Sequence, residues 1–137
     1  MLFAAMEVAM VVLFCLVLAD AVRNYDRNRK KLLLLVLAFI YAIIFENFNM
    51  FLSQGHLGSY FYNQGFTLWI WKTPLSIALA WAVLIYTAMH LSDMLKLKTL
   101  TRPFMDALLI VLIDLTLDVV AVRQHIWYWV GHSQAQG

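Results

Sequence analysis

Four apolar runs, each close to the length of a bilayer crossing, constrain this chain more than anything else in it. A helix rises about 1.5 Å per residue, so roughly 20 apolar residues cross a hydrocarbon layer of about 30 Å. Runs of that length extend from Leu2 to Val22, Leu32 to Leu52, Thr73 to Leu91 and Phe104 to Val122. Each must satisfy its own backbone hydrogen bonds in lipid, and the alternating pattern of a membrane barrel is missing, so helices are required. Composition agrees. Of 137 residues 64% are hydrophobic and 13% charged, whereas a soluble domain carries about 25% charged residues. So short a chain cannot hide that much apolar surface from water in its own core. The expectation is a single domain over residues 1–137, an all-α integral membrane bundle of four transmembrane helices.

Lysine and arginine orient the runs. The first connection holds Arg23, Arg27, Arg29, Lys30 and Lys31, and the third holds Lys96, Lys98 and Arg102, whereas the second has only Lys72. Basic connections stay on the cytoplasmic side, which predicts a cell-membrane protein with both termini on the non-cytoplasmic side. Trp69, Trp71, Trp127, Tyr128 and Trp129 then gather at that same outer interface as an aromatic belt. The formal charge of +2 is too small to imply nucleic acid as a partner. Cys15 stands alone and builds neither a disulfide nor a cysteine metal site. The first run lacks a basic leader and a small-residue cleavage site, so it reads as a retained helix.

Four acids fall inside the runs: Glu7, Glu46, Asp114 and Asp118. A charge in the hydrocarbon layer costs a few kcal/mol on insertion scales, so such residues turn toward the bundle interior. Counting along the helices, Glu46 comes roughly 21 Å from the basic end, with Glu7 and Asp118 at similar heights. Asp114 sits one turn below Asp118 on the same face. Carboxyl groups gathered in one dry layer cannot all be charged, so at least one is expected to hold a proton beside an ionised neighbour, which makes an acid/base pair. The plainer reading makes each acid a hydrogen-bonder to Asn47, Asn49, Tyr41 or Arg123 that fixes helix packing.

The segments Glu46-Asn47-Phe48-Asn49-Met50, Gly55 to Tyr62, and Lys72-Thr73-Pro74-Leu75-Ser76-Ile77-Ala78-Leu79-Ala80-Trp81 follow one another in an order that resembles a family. So do Asp114 to Arg123 and Trp127-Tyr128-Trp129. Together they are similar to the membrane carotenoid hydratases that include bisanhydrobacterioruberin hydratase. Shared features are an intramembrane Glu, a G-x-x-x-G-x-Y-x-Y loop, a P-L-x-I-x-L-A-W helix, and a D-x-x-x-D helix ending in W-x-W. Val119 stands where the family places a proline. Members of that family are longer and carry more spans, so the resemblance implies a compact or truncated relative.

The resemblance implies cofactor-free addition of water to the terminal double bond of an acyclic carotenoid or other polyene lipid. Alkene hydration needs a carboxylic acid to protonate the double bond, and a carboxylate to stabilise the cation and take a proton from water. Glu46, Asp114 and Asp118 are the candidate catalytic residues, with Glu46 or Asp118 as donor and Asp114 as the base that orients water. Tyr60, Tyr62 and Trp81 are the candidate substrate-binding residues; Tyr60 and Tyr62 also read as interfacial anchors. No metal is expected: Asp114-x-x-x-Asp118 matches the magnesium motif of membrane prenyltransferases, but only Arg123 is near enough to help hold a diphosphate. A di-iron reading lacks the Glu-x-x-His spacing. Proton or ion conduction would need a polar path through the apolar stretch from Leu32 to Ile40. The alternative is a non-enzymatic small subunit or pigment-binding protein of a larger membrane complex, either as a homo-oligomer or beside a partner subunit. Gly55 and Gly58 are expected at tight turns, and Pro74 in the first turn of the third helix.

Overall fold

The structure, a computed structural model, describes residues 1–26, 29–54 and 58–130. Four long helices dominate it: α1 (Leu2–Arg23), α2 (Arg29–Leu52), α3 (Leu75–Met94) and α4 (Arg102–Arg123). They overlie the four apolar runs to within a few residues at each end. α1, α2 and α3 are long and apolar enough to cross a membrane. α4 is as long as α1 but carries Asp106, Asp114 and Asp118.

α3 is the central helix, packed against α1, α2 and α4, while α1 also meets α2. Small residues make this closeness possible. Ser76, Ala78, Ala82, Ala88 and Ser92 of α3 are buried, as are Ala21 of α1, Ala38 and Ala42 of α2 and Ala121 of α4. Lipid gives helices no hydrophobic reason to associate, so close van der Waals packing at small residues has to supply it. Many large apolar residues point outward instead: Val8, Leu16, Leu33, Ile44, Leu108 and Leu115 are all exposed. An apolar exterior on this scale is a lipid-facing surface, and with three spanning-length helices it marks a membrane protein.

Between α2 and α3 the chain forms three short strands, β1 (Tyr60–Tyr62), β2 (Trp69–Ile70) and β3 (Thr73–Pro74), and after α4 a fourth, β4 (Trp127–Trp129). β1 pairs antiparallel with β4, placing Tyr60 opposite Trp129 and Tyr62 opposite Trp127. β2 and β3 form a hairpin whose tip, Trp71, takes φ 61°. Asn47 of α2 clamps that tip: its Oδ1 accepts the Lys72 N–H at 2.9 Å, and its Nδ2 donates to the carbonyl of Ile70 at 3.4 Å as well as to that of Ile43 in its own helix at 2.8 Å. Pro74 lies one residue before α3 as its N-cap, a step earlier than the sequence suggested. Its missing N–H is harmless there. Gly58 adopts φ +90°, the positive value expected of a turn glycine, while Gly55 lies outside the described residues.

The return of the chain after α4 places β4. The Ile126 N–H reaches back to the carbonyl of Ala121 at 2.8 Å and the His125 N–H to that of Val122 at 3.1 Å. This pattern is a Schellman cap, whose left-handed residue is normally glycine; here it is His125, at φ 56°. A side chain in that region costs roughly 1–2 kcal/mol, partly offset by the greater unfolded-state freedom of glycine. His125→Gly is therefore expected to stabilise the protein by about 0.5 to 1 kcal/mol, read as a higher denaturation midpoint in detergent.

Candidate functional site

The β1–β4 ribbon turns two short aromatic motifs into one surface. Alternate residues of a strand share a face, so Tyr-Phe-Tyr sends Tyr60 and Tyr62 to one side, and Trp-Tyr-Trp sends Trp127 and Trp129 with them. The rings meet in pairs: Tyr60 and Trp129 have centroids 5.2 Å apart, Tyr62 and Trp127 6.0 Å. Phe61 and Tyr128 stack on the opposite face at 5.2 Å.

This aromatic face carries hydrogen-bond donors to carboxylates on two helices. Glu46 of α2, only 3% exposed, accepts both phenols on one oxygen: Tyr60 Oη donates to Oε2 at 2.6 Å and Tyr62 Oη at 2.7 Å. Asp118 of α4 is held the same way, its Oδ1 accepting the indole N–H of Trp127 at 2.7 Å and of Trp129 at 3.1 Å. Asp114, one turn away on α4, lies within electrostatic reach of Glu46, Asp118 and Tyr60. No donor among the described residues hydrogen-bonds to it. Trp81 of α3 packs against the apolar cluster of Met50, Tyr62, Phe66, Ile77, Ala121 and Ile126, which joins α2, β1, α3 and α4 beside the site.

Burial and the Glu46 carboxylate push both phenols, Tyr60 and Tyr62, well above the usual tyrosine range. The folded protein then keeps two protons that the unfolded chain releases above about pH 10, so stability falls as pH rises beyond that value. The tyrosinate absorbance gained between neutral pH and about pH 11 is expected to be unchanged by replacing both residues with Phe, because neither ionises in that window.

The structure brings Glu46, Asp114 and Asp118 together and sends Glu7 elsewhere. Glu7 Oε1 accepts the backbone N–H groups of Thr67 and Leu68 at 2.8 and 3.0 Å, tying α1 to the β1–β2 connection. The plainer partners proposed for the acids do not take that role either. Asn47 holds the hairpin, Tyr41 stacks on Phe45, and the exposed Arg123 forms no ion pair among the described residues. On the loop side of the tyrosine pair lies a cleft of about 560 Å³, lined by Tyr60 and Tyr62 together with the polar Gln54, Ser59, Gln64 and Lys72. The carboxylates themselves do not line it. Sequence reasoning missed the link between Asp118 and the two tryptophans, and the role of Asn47. The period-two spacing of Y-x-Y and W-x-W was the one signal that could have revealed that link.

Residues 3–137 match the family described as carotenoid biosynthesis protein. No curated protein and no solved structure matches the chain. A match over almost the whole chain, covering all four helices and every residue of the carboxylate cluster, means that the protein belongs to the carotenoid biosynthesis protein family.

Proposed function

We propose that the chain hydrates the terminal double bond of an acyclic carotenoid, using Glu46, Asp114 and Asp118 as its catalytic carboxyl groups. The observation that carries this reading is the pair of carboxylates, buried Glu46 and half-buried Asp118, held by four aromatic donors beside a third carboxyl group that has none among the described residues. Two of the three have their charge satisfied by hydrogen bonds to a single oxygen. Asp114 is thus the member assigned the shared proton, which reverses the donor and base roles expected from the sequence.

The steps balance without a cofactor. Asp114 gives its proton to the terminal double bond; the π electrons form the new C–H bond and leave a tertiary carbocation. The carboxylates of Glu46 and Asp118 stabilise that cation in surroundings of low dielectric, where fixed charges act most strongly. The aromatic rings of Tyr60, Tyr62 and Trp81 add cation–π attraction. Water then forms the C–O bond, and its surplus proton passes to Asp118 and back across one helical turn to Asp114. The net change is alkene plus water to tertiary alcohol. Water would come through the polar cleft beyond Tyr60 and Tyr62, and the polyene from the lipid side.

This reading treats α4 as a fourth crossing, since its half-buried Asp114 and Asp118 turn inward while Leu108, Val111, Leu112, Leu115 and Val119 face out. The basic connections then lie on the cytoplasmic side of the cell membrane and both termini on the other. The test is pigment analysis of a host that makes acyclic carotenoids and expresses this chain. A new monohydroxylated or dihydroxylated product supports hydration. Unchanged pigment from a stably inserted protein overturns it and favours a non-enzymatic subunit or pigment-binding role.

A further inference from the structure

The end of the bundle remote from the carboxylates carries a second built feature, about 24 Å away along α2 by helical rise. A cleft of about 430 Å³ opens there between α2, α3 and α4. Lys30, Lys31, His90 and Arg102 line it, against a single acidic lining residue, Asp93, which pairs with Arg102. Lys31 is shared with Asp20 of α1 at 3.8 Å, and Asp20 also accepts the Tyr86 hydroxyl at 2.7 Å. Lys30 has no ion pair or hydrogen bond among the described residues. Lys31 Nζ lies 3.3 Å from His90 Nδ1. An ammonium group only donates, so Nδ1 is the acceptor and the ring proton sits on Nε2, leaving a second donor at the cleft.

The polar part of this cleft continues into an apolar one. Leu33 and Leu37 line it too, 57% and 53% exposed, one and two turns beyond Lys30 on the same side of α2. A small inorganic anion would use the cations and ignore the leucines. A molecule with an anionic head and apolar chains uses both. We infer that this cleft is a binding site for the headgroup of an anionic glycerophospholipid, its phosphate held by Lys30, Arg102 and His90 and its acyl chains lying along Leu33 and Leu37. Basic pockets between membrane helices are suited to such headgroups, and the inner leaflet, where the basic connections belong, is where anionic lipid is enriched. The site is independent of the proposed hydration chemistry.

The test uses the full chain purified in a neutral detergent, titrated with phosphatidylglycerol, phosphatidylcholine or inorganic phosphate, and read by native mass spectrometry and thermal unfolding. Lys30→Gln with Arg102→Gln is compared with Arg23→Gln with Lys98→Gln, which removes the same charge at the same end but outside the cleft. Phosphatidylglycerol is expected to bind wild type and raise its melting temperature, with affinity about twentyfold lower in the cleft pair and within about threefold of wild type in the control pair. Equal losses in both pairs overturn the site in favour of diffuse surface attraction. Equal binding of phosphatidylcholine, or equal stabilisation by inorganic phosphate, overturns the assignment to an anionic lipid. Should the double variant fold poorly, Lys30→Gln alone is expected to lower affinity about fivefold, and unchanged affinity there overturns the proposal.

Discussion

Glu46→Gln is expected to lower the yield of hydroxylated carotenoid by a factor of about 10² to 10³ while leaving the protein inserted and folded. Glutamine keeps the length and one acceptor oxygen for Tyr60 and Tyr62, so the ribbon remains docked on α2. What disappears is the negative charge beside the developing carbocation. Asp114→Asn is expected to lose about 10² to 10⁴, the range for removing a positioned general acid. Groups that serve one step act as a unit, so the double variant falls little further than the worse of the two. Glu7→Ala provides the contrast, since its carboxylate binds the Thr67 and Leu68 backbone and none of the site; product yield is expected to stay within a few-fold of wild type. Product formation by Glu46→Gln at the wild-type rate, measured by chromatography of extracted pigment, would remove Glu46 from the mechanism.

The second large effect is on stability. Replacing Tyr60 and Tyr62 together by Phe leaves the Glu46 carboxylate, 3% exposed, without its two donors. Hydrogen bonds to a charged group contribute about 1.5–3 kcal/mol each, so the pair of substitutions is expected to cost about 3 kcal/mol or more. The packing barely changes, because Phe keeps the rings that meet Trp127 and Trp129. Adding Glu46→Met should restore most of the loss, since replacing both partners of a buried polar contact by apolar groups is close to neutral. Chemical denaturation of the double and triple variants in detergent decides it. A triple variant no more stable than the double would place the cost in packing and not in the stranded carboxylate.

Much of the fold was legible because lipid leaves few choices. An apolar run of the right length must satisfy its backbone internally, so Leu2–Arg23, Arg29–Leu52, Leu75–Met94 and Arg102–Arg123 follow from hydropathy to within about three residues at each end. That Glu46 and Asp118 could meet was legible for a related reason: a helix has a fixed rise, and counting residues from the basic end put Glu46, Glu7 and Asp118 at similar heights with Asp114 one turn below. The strands were not. Strands of two or three residues carry too little periodicity to detect, and the pairing of β1 with β4 joins segments separated by two whole helices. Glu7 marks the same limit, because depth alone put it in the layer and its direction around α1 took it out.

By itself, the sequence determined a membrane chain of four long helices with carboxyl groups on the second and fourth within about a turn of one level, because hydrophobic length and helical rise are local quantities. Tertiary structure alone decided what those carboxyl groups touch. It made α3 the central helix, turned Tyr60, Tyr62, Trp127 and Trp129 to one face, and gave Glu46 and Asp118 two donors each while leaving Asp114 without one among the described residues. Hydrogen-bond partners depend on the rotation of each helix and on the register of distant strands, and neither is written in any one stretch of the chain.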